Sequence, residues 1–247
     1  ADICAFSVAL IMVNRQLTKM GDFNLKHCLS QLTLRGYGRL LSLNRDIFIR
    51  SLCLQAAFSF MTFHGAGLGD NIIAANAVLL NLLMLISYAL DGIAYYAEAE
   101  VGRAFGQKNP LLLHDSVQLA FYWSAAIAVL FSLLFWCAGS GIIQLLTNVE
   151  TVQQAANQYL AWLIFMPILA FCCYLFDGVY IGAAQGQVMR NSMIIATFGV
   201  YFPCWYLLQT WGNHSLWAAM SVFMLCRSAT LGWHYVYKLK HKLATTK

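Results

Sequence analysis

The sequence predicts an all-α integral membrane protein: a six-transmembrane-helix lobe, preceded by part of another transmembrane helix. Three observations carry this. Of 247 residues, 60% are hydrophobic and only 10% are charged, against roughly 25% in a soluble domain. The charges are clustered, with no Lys, Arg, Asp or Glu in 51–69, 71–90, 116–149, 151–176 or 191–226. About 20 apolar residues suffice to cross the hydrocarbon core as a helix, and a soluble core could not absorb so many such runs. The alternating strands of an outer-membrane barrel are absent from the pattern.

Residues 1–14 are apolar apart from Asp2, yet too short to span. No basic region and cleavage site mark them as a signal peptide, so we expect the end of a truncated transmembrane helix. A polar connection, 15–45, follows with Gly21, Gly36, Gly38 and six basic residues. The lobe then occupies 46–237, as six apolar segments at 46–66, 71–102, 116–138, 153–185, 189–210 and 215–237. Glycine-rich turn signals separate them, at 65–69, 106–110, 139–141, Gly186 and Gly212-Asn213. Pro167 and Pro203 lie inside the fourth and fifth segments, where proline frees a carbonyl and kinks the helix. A basic tail closes the chain at 238–247.

Basic residues set the orientation. Those of 15–45, then Arg103 with Lys108, Arg190, and the lysines of the tail alternate with connections that carry none, at 65–70, 139–150 and 212–214. The basic connections and the carboxy-terminus therefore belong in the cytoplasm. This topology accounts for the formal charge of +5 without a nucleic-acid partner. Trp211 and Trp217 at the outer end, and Trp233, Tyr235 and Tyr237 at the inner end, fit aromatic belts. All cysteines but Cys28 lie in apolar segments without metal-ligand spacing, as small reduced thiols. No metal and no cofactor is expected.

Ionisable groups deep in lipid are costly and usually functional. Asp2, Asp91, Asp177 and Arg227 lie 13, 12, 13 and 11 residues before Arg15, Arg103, Arg190 and Lys238. At about 1.5 Å per residue all four fall in one layer near the midplane, where secondary transporters place substrate and coupling-ion sites. Tyr88, Asp91, Tyr95, Glu98 and Gly102 share one helix face by their spacing. Tyr174, Asp177, Tyr180 and Ala184 form a second such face. Gly92 and Gly178, each following an Asp, permit close helix approach. An aspartate in a low-dielectric cavity can hold and release a proton near neutral pH, and tyrosine faces suit an amphipathic cation. The structural alternative is an Asp–Arg pair that locks two helices. Arg227 reads as such a gating or charge partner, with Asp2 beside it. Asp46 and Arg50 stand at i, i+4 at a helix start, where simple pairing or snorkelling is expected.

Several segments resemble the multidrug and toxic-compound extrusion (MATE) transporters, in the branch named after a DNA-damage-inducible protein. They include Leu41-Ser42-Leu43-Asn44-Arg45-Asp46, Asn71-Ile72-Ile73-Ala74-Ala75-Asn76, Tyr88-Ala89-Leu90-Asp91-Gly92, Asp177-Gly178 with Ile181-Gly182-Ala183, and Met189-Arg190-Asn191-Ser192-Met193. The resemblance covers nearly the whole chain, as the family's carboxy-terminal half. It implies two six-helix lobes around a cleft, an amino-terminal lobe missing here, and placement in a bacterial cytoplasmic membrane. It also implies proton- or sodium-coupled export of amphipathic, often cationic compounds, with no enzymatic step and no contact with DNA. The family's tenth-helix acid matches Asp177. Other branches carry a seventh-helix acid, which has no counterpart in 51–69, where Gln55 is the nearest polar residue. Arg103 stands where a Gln is usual.

Other classes fit less well. A lipid-linked oligosaccharide flippase of the same superfamily should show several cavity arginines. An intramembrane aspartyl protease needs two aspartates at one depth, but its Gly-x-Gly-Asp context is absent at Phe176-Asp177. A non-transporting membrane scaffold is the bland alternative. The topology has a direct test in the full-length protein. A cysteine placed at Asn148 should react with an impermeant thiol reagent in intact cells, and labelling only after lysis overturns the orientation.

Overall fold

The computed structural model describes residues 7–8, 11–12 and 34–239. The chain divides into two units, 1–42 and 43–247. In the first, Ser7, Val8, Ile11 and Met12 are helical and exposed. Asp2, most of the expected truncated helix, residues 15–33 of the connection and most of the basic tail lie outside the described residues.

The described residues are helical apart from short connections, without a strand. The helices are α1 (Leu34–Ala66), α2 (Asp70–Gln107), α3 (Pro110–Leu146), α4 (Glu150–Gly182), α5 (Gly186–Ile194), α6 (Phe202–Leu208) and α7 (Asn213–His234). A π-helical turn, Ile195–Tyr201, joins α5 to α6, so that Gly186–Trp211 is one continuous rod. Asn109 caps α3 by accepting the amides of Leu111 and Leu112 at 3.1 and 3.2 Å, with Pro110 at the first helical position, where its missing N–H costs nothing. Lys108 ends α2 in the left-handed region, at φ 51°.

Five stretches are long and apolar enough to cross a membrane: Leu41–Ala66, Asp70–Gln107, Pro110–Leu146, Glu150–Gly182 and Gly186–Trp211. The sixth expected span is α7, 22 residues long. It falls short in hydropathy because it carries Asn213, Ser215, Ser221 and Arg227, all of them buried. Two expected boundaries move. Residues 34–45 of the polar connection are already helical, in α1. The glycines at 139–141 do not turn the chain, and α3 runs through them to Leu146. Gly139 is there for packing: a Cβ would stand 2.8 Å from Leu160 Cδ2.

Helix α4 is the centre. It packs against α2, α3 and α7, and its continuous buried stretch runs from Cys173 to Tyr180. It crosses α2 backbone to backbone. A Cβ on Gly178 would overlap the Ala94 carbonyl, and one on Gly182 the Glu98 carbonyl. This is small-residue packing of the kind that brings membrane helices together. Gly92, expected to act likewise, faces open space. Pro167 is buried inside α4 without ending it, and the Ser132 hydroxyl on α3 donates to the nearby Ile164 carbonyl. Pro203 follows the π turn, where the Phe202 amide reaches back to the Thr197 carbonyl. Helix α1 lies along the Gly186–Trp211 rod. Tyr201 donates to the Ala57 carbonyl at 3.1 Å, and Phe60 meets Trp205 edge-on while the His64 ring lies tilted against it.

The buried apolar residues form two clusters. One contains Leu90, Cys173, Tyr174 and Met224. The other contains Ala97, Leu175, Phe176 and Leu231. On α2 and α7 the boundary falls where Asp91 and Arg227 lie, and on α4 it falls between Tyr174 and Leu175, within one turn of Asp177.

The crossing makes a contrast of two glycines. Gly178→Val forces α4 off α2 and should cost at least about 1–3 kcal/mol, seen as lost folded protein and a lower melting temperature in detergent. Gly92→Ala should be neutral or slightly stabilising, within about 1 kcal/mol.

Candidate functional site

Asp177 is the hub of the boundary layer. It is 6% exposed, and a single oxygen, Oδ2, accepts from Arg227 Nη2 at 2.6 Å and from Arg50 Nη2 at 2.8 Å. Helices α1, α4 and α7 therefore meet at one carboxylate. Arg227 is held on all sides. It is buried, its Nη1 points at Met224 Sδ, 3.5 Å away, and its guanidinium lies 5.5 Å from the Phe223 ring centre. Arg50 is held loosely, with 19% of its side chain exposed and a buried Nε that has no partner.

The expected Asp46–Arg50 pair within α1 does not form. Each residue pairs with another helix instead. Asp46 is buried and takes Arg190 Nη1 at 2.7 Å and Arg45 Nη2 at 3.2 Å. Gly186 makes room for this approach, since a Cβ there would stand 3.1 Å from Asp46 Cβ. A buried charge needs its partner close and well aligned, and neighbouring helices supply better geometry than the next turn of the same one.

Asp91 is half-buried, with no hydrogen bond or ion pair among the described residues. Asp177, Arg50 and Arg227 act on it electrostatically. On its own face of α2, Tyr88 and Tyr95 are 71% and 69% exposed, and Glu98 is half-buried. Gln55 is exposed on α1, where its amide donates to Ser59 at 3.4 Å. The α4 face expected beside Asp177 is turned into the bundle. Tyr174 is buried and shares a hydrogen bond with Ser87. Tyr180 is buried, and its hydroxyl donates to the Leu231 carbonyl at 2.9 Å and lies 2.9 Å from His234 Nδ1. Both tyrosines thus tie α4 to its neighbours.

At the other end of the bundle, Asn76 and Asn213 exchange carboxamide hydrogen bonds at 2.7 and 2.9 Å. The Trp217 indole N–H adds a third, to Asn76 Oδ1 at 2.9 Å. Trp217 is fully buried and Tyr235 nearly so, and neither sits in an aromatic belt as expected. Trp211, Trp233 and Tyr237 are exposed. Sequence reasoning missed Arg50 as a partner of Asp177. Its one signal was position, at the edge of the charge-free run 51–69.

Long apolar helices closed around buried ion pairs define an integral membrane protein of the helical-bundle class. Residues 47–207 match the MatE family model, and the chain belongs to that family. It is 42% identical over 233 residues to the DNA damage-inducible protein F of Escherichia coli K12, covering 94% of this chain and 50% of that protein. It is 22% identical over 193 residues to the probable multidrug resistance protein NorM of Pseudomonas syringae, covering 73% and 41%. The Vibrio cholerae MATE transporter VcmN in its bent form shares the fold, with a TM-score of 0.78 at 19% identity, over 98% of this chain and 55% of that one. The chain spans about half the length of the curated relatives it matches.

The hub dictates the response to its removal. Asp177→Asn takes the shared carboxylate away from two guanidiniums and should cost about 3–5 kcal/mol, read as lower membrane abundance and melting temperature. Adding Arg50→Gln removes one of the stranded charges and should restore part of the loss.

Proposed function

We propose that this chain is one lobe of a secondary transporter, which exports amphipathic, often cationic compounds by proton- or sodium-coupled antiport. A second six-helix lobe completes the cleft. The observation that carries the reading is Asp91: an unpaired carboxyl beside the ionic layer, flanked on an open face by two exposed tyrosines. A carboxylate between aromatic rings suits an organic cation, through charge and cation–π attraction, and the same carboxyl can take a proton or a sodium ion instead. Family membership and the multidrug resistance for which the Pseudomonas syringae relative is named support drug export.

In this reading Asp91, Tyr88, Tyr95, Glu98 and Gln55 face substrate and coupling ion. Asp177, Arg227, Tyr174 and Tyr180 hold the wall behind them. The two deep arginines are both engaged by Asp177, which removes the main support for an oligosaccharide flippase. Alternating access then rocks one lobe against the other around the shared site.

The test is Asp91→Asn in the full-length protein. Ethidium efflux from vesicles should fall at least about tenfold, equivalent to about 1.4 kcal/mol in the rate-limiting barrier, with membrane abundance unchanged. Undiminished efflux refutes the assignment and leaves the layer with a structural role alone.

A further inference from the structure

The polar layer contains four charges on four helices: Arg50 on α1, Asp91 on α2, Asp177 on α4 and Arg227 on α7. Their partners are unequally shared. Asp177 takes both guanidiniums on one oxygen, while Asp91 has none. Once Arg227 and Asp177 are counted as a balanced pair, Arg50 and Asp91 remain as the unmatched base and acid. Arg227 cannot redistribute, being buried against Met224 and Phe223. Arg50 has more freedom, with 19% of its side chain exposed and a buried Nε that no partner holds. The groups acting on Asp91 are Arg50, Arg227 and Asp177. Tyr174, itself acted on by Asp91, has its hydroxyl bonded to Ser87.

We infer that Arg50 is a shared partner, resting on Asp177 when Asp91 is occupied by a proton or cation and turning to Asp91 when that acid is bare. The inference rests on the reading of Asp91 as the substrate and ion site. It makes Arg50 a positioning residue that carries the state of Asp91 to α1. A bare Asp91 draws the inner half of α1 toward α2, and an occupied Asp91 releases it to α4. It also makes Arg50 a competitor of the cationic substrate, so that apparent affinity is reduced by the fraction of time Arg50 occupies Asp91.

The experiment uses the full-length protein, purified for ethidium binding by fluorescence anisotropy and reconstituted in liposomes for ethidium efflux. Arg50→Gln leaves Asp177 and Arg227 as a one-to-one pair, and Arg50→Met serves as a second neutral variant. Either should bind ethidium at least about fivefold more tightly while exporting it at least about tenfold more slowly. Arg50→Lys should restore both values toward those of the parent. In an Asp91→Asn background, Arg50→Gln should change affinity less than about twofold. Unchanged or weaker binding in the single neutral variants, or equal tightening in both backgrounds, overturns the shared-partner inference and leaves the Asp91 site standing. Failure of both neutral variants to accumulate makes Arg50 a purely structural tie, which also overturns it. Undiminished ethidium binding by Asp91→Asn alone overturns the site itself.

Discussion

A carboxylate buried among apolar helices is tolerated only when compensated, and Asp177 is compensated by two arginines from different helices. The rest of the bundle is organised around that requirement. The ion pairs divide the apolar interior into two separate cores. They fix where α1, α4 and α7 must meet, and Gly178, immediately after the aspartate, lets α2 press against α4. Removing side-chain bulk beside a buried charge brings a fourth helix close enough for Asp91 to share the field of the layer. Packing and electrostatics are thus the same constraint, written in adjacent residues.

The two ends of the bundle solve the joining of helices differently. Near the extracellular end assigned by the charge pattern, α2 and α7 are joined by a neutral carboxamide pair with an indole donor. Each carboxamide both donates and accepts and the pair carries no net charge, so its strength depends little on any ion. The opposite half is joined through ion pairs, whose strength changes whenever a charge nearby is neutralised. The bundle is therefore electrostatically sensitive on one side only, the side where Asp91 lies open.

Much of this was legible in the sequence, for identifiable reasons. Charge-free runs gave the helices because lipid admits few charges. Counting residues to the next basic loop placed Asp91, Asp177 and Arg227 in one layer, since a helix converts sequence distance to depth. Partners were less legible. Arg50 and Asp177 are 127 residues apart, and Asp46 and Arg190 are 144 apart, so no local spacing encodes either pair. The i, i+4 spacing of Asp46 and Arg50 pointed the wrong way because it weighs one helix alone. Trp217 and Tyr180 were misplaced for a related reason. An aromatic with a polar tip reads alike at an interface, in a cavity or between helices, and only its neighbours decide. Gly139 read as a turn because sequence cannot show that Leu160 needs the space.

The pairing of Asp46 with Arg190 and of Arg50 with Asp177 makes a pattern of opposite signs one helical turn apart. It works as a registration mark. Sliding α1 along its axis by one turn, about 5.4 Å, would bring Arg50 against Arg190 in one direction and Asp46 against Asp177 in the other. Either slip sets like charges face to face in a poorly solvated layer. A small tilt of α1 keeps each charge beside its own partner, whereas rotation about its axis parts them. The two pairs therefore guard the height and the azimuth of the inner part of this helix and leave its tilt free.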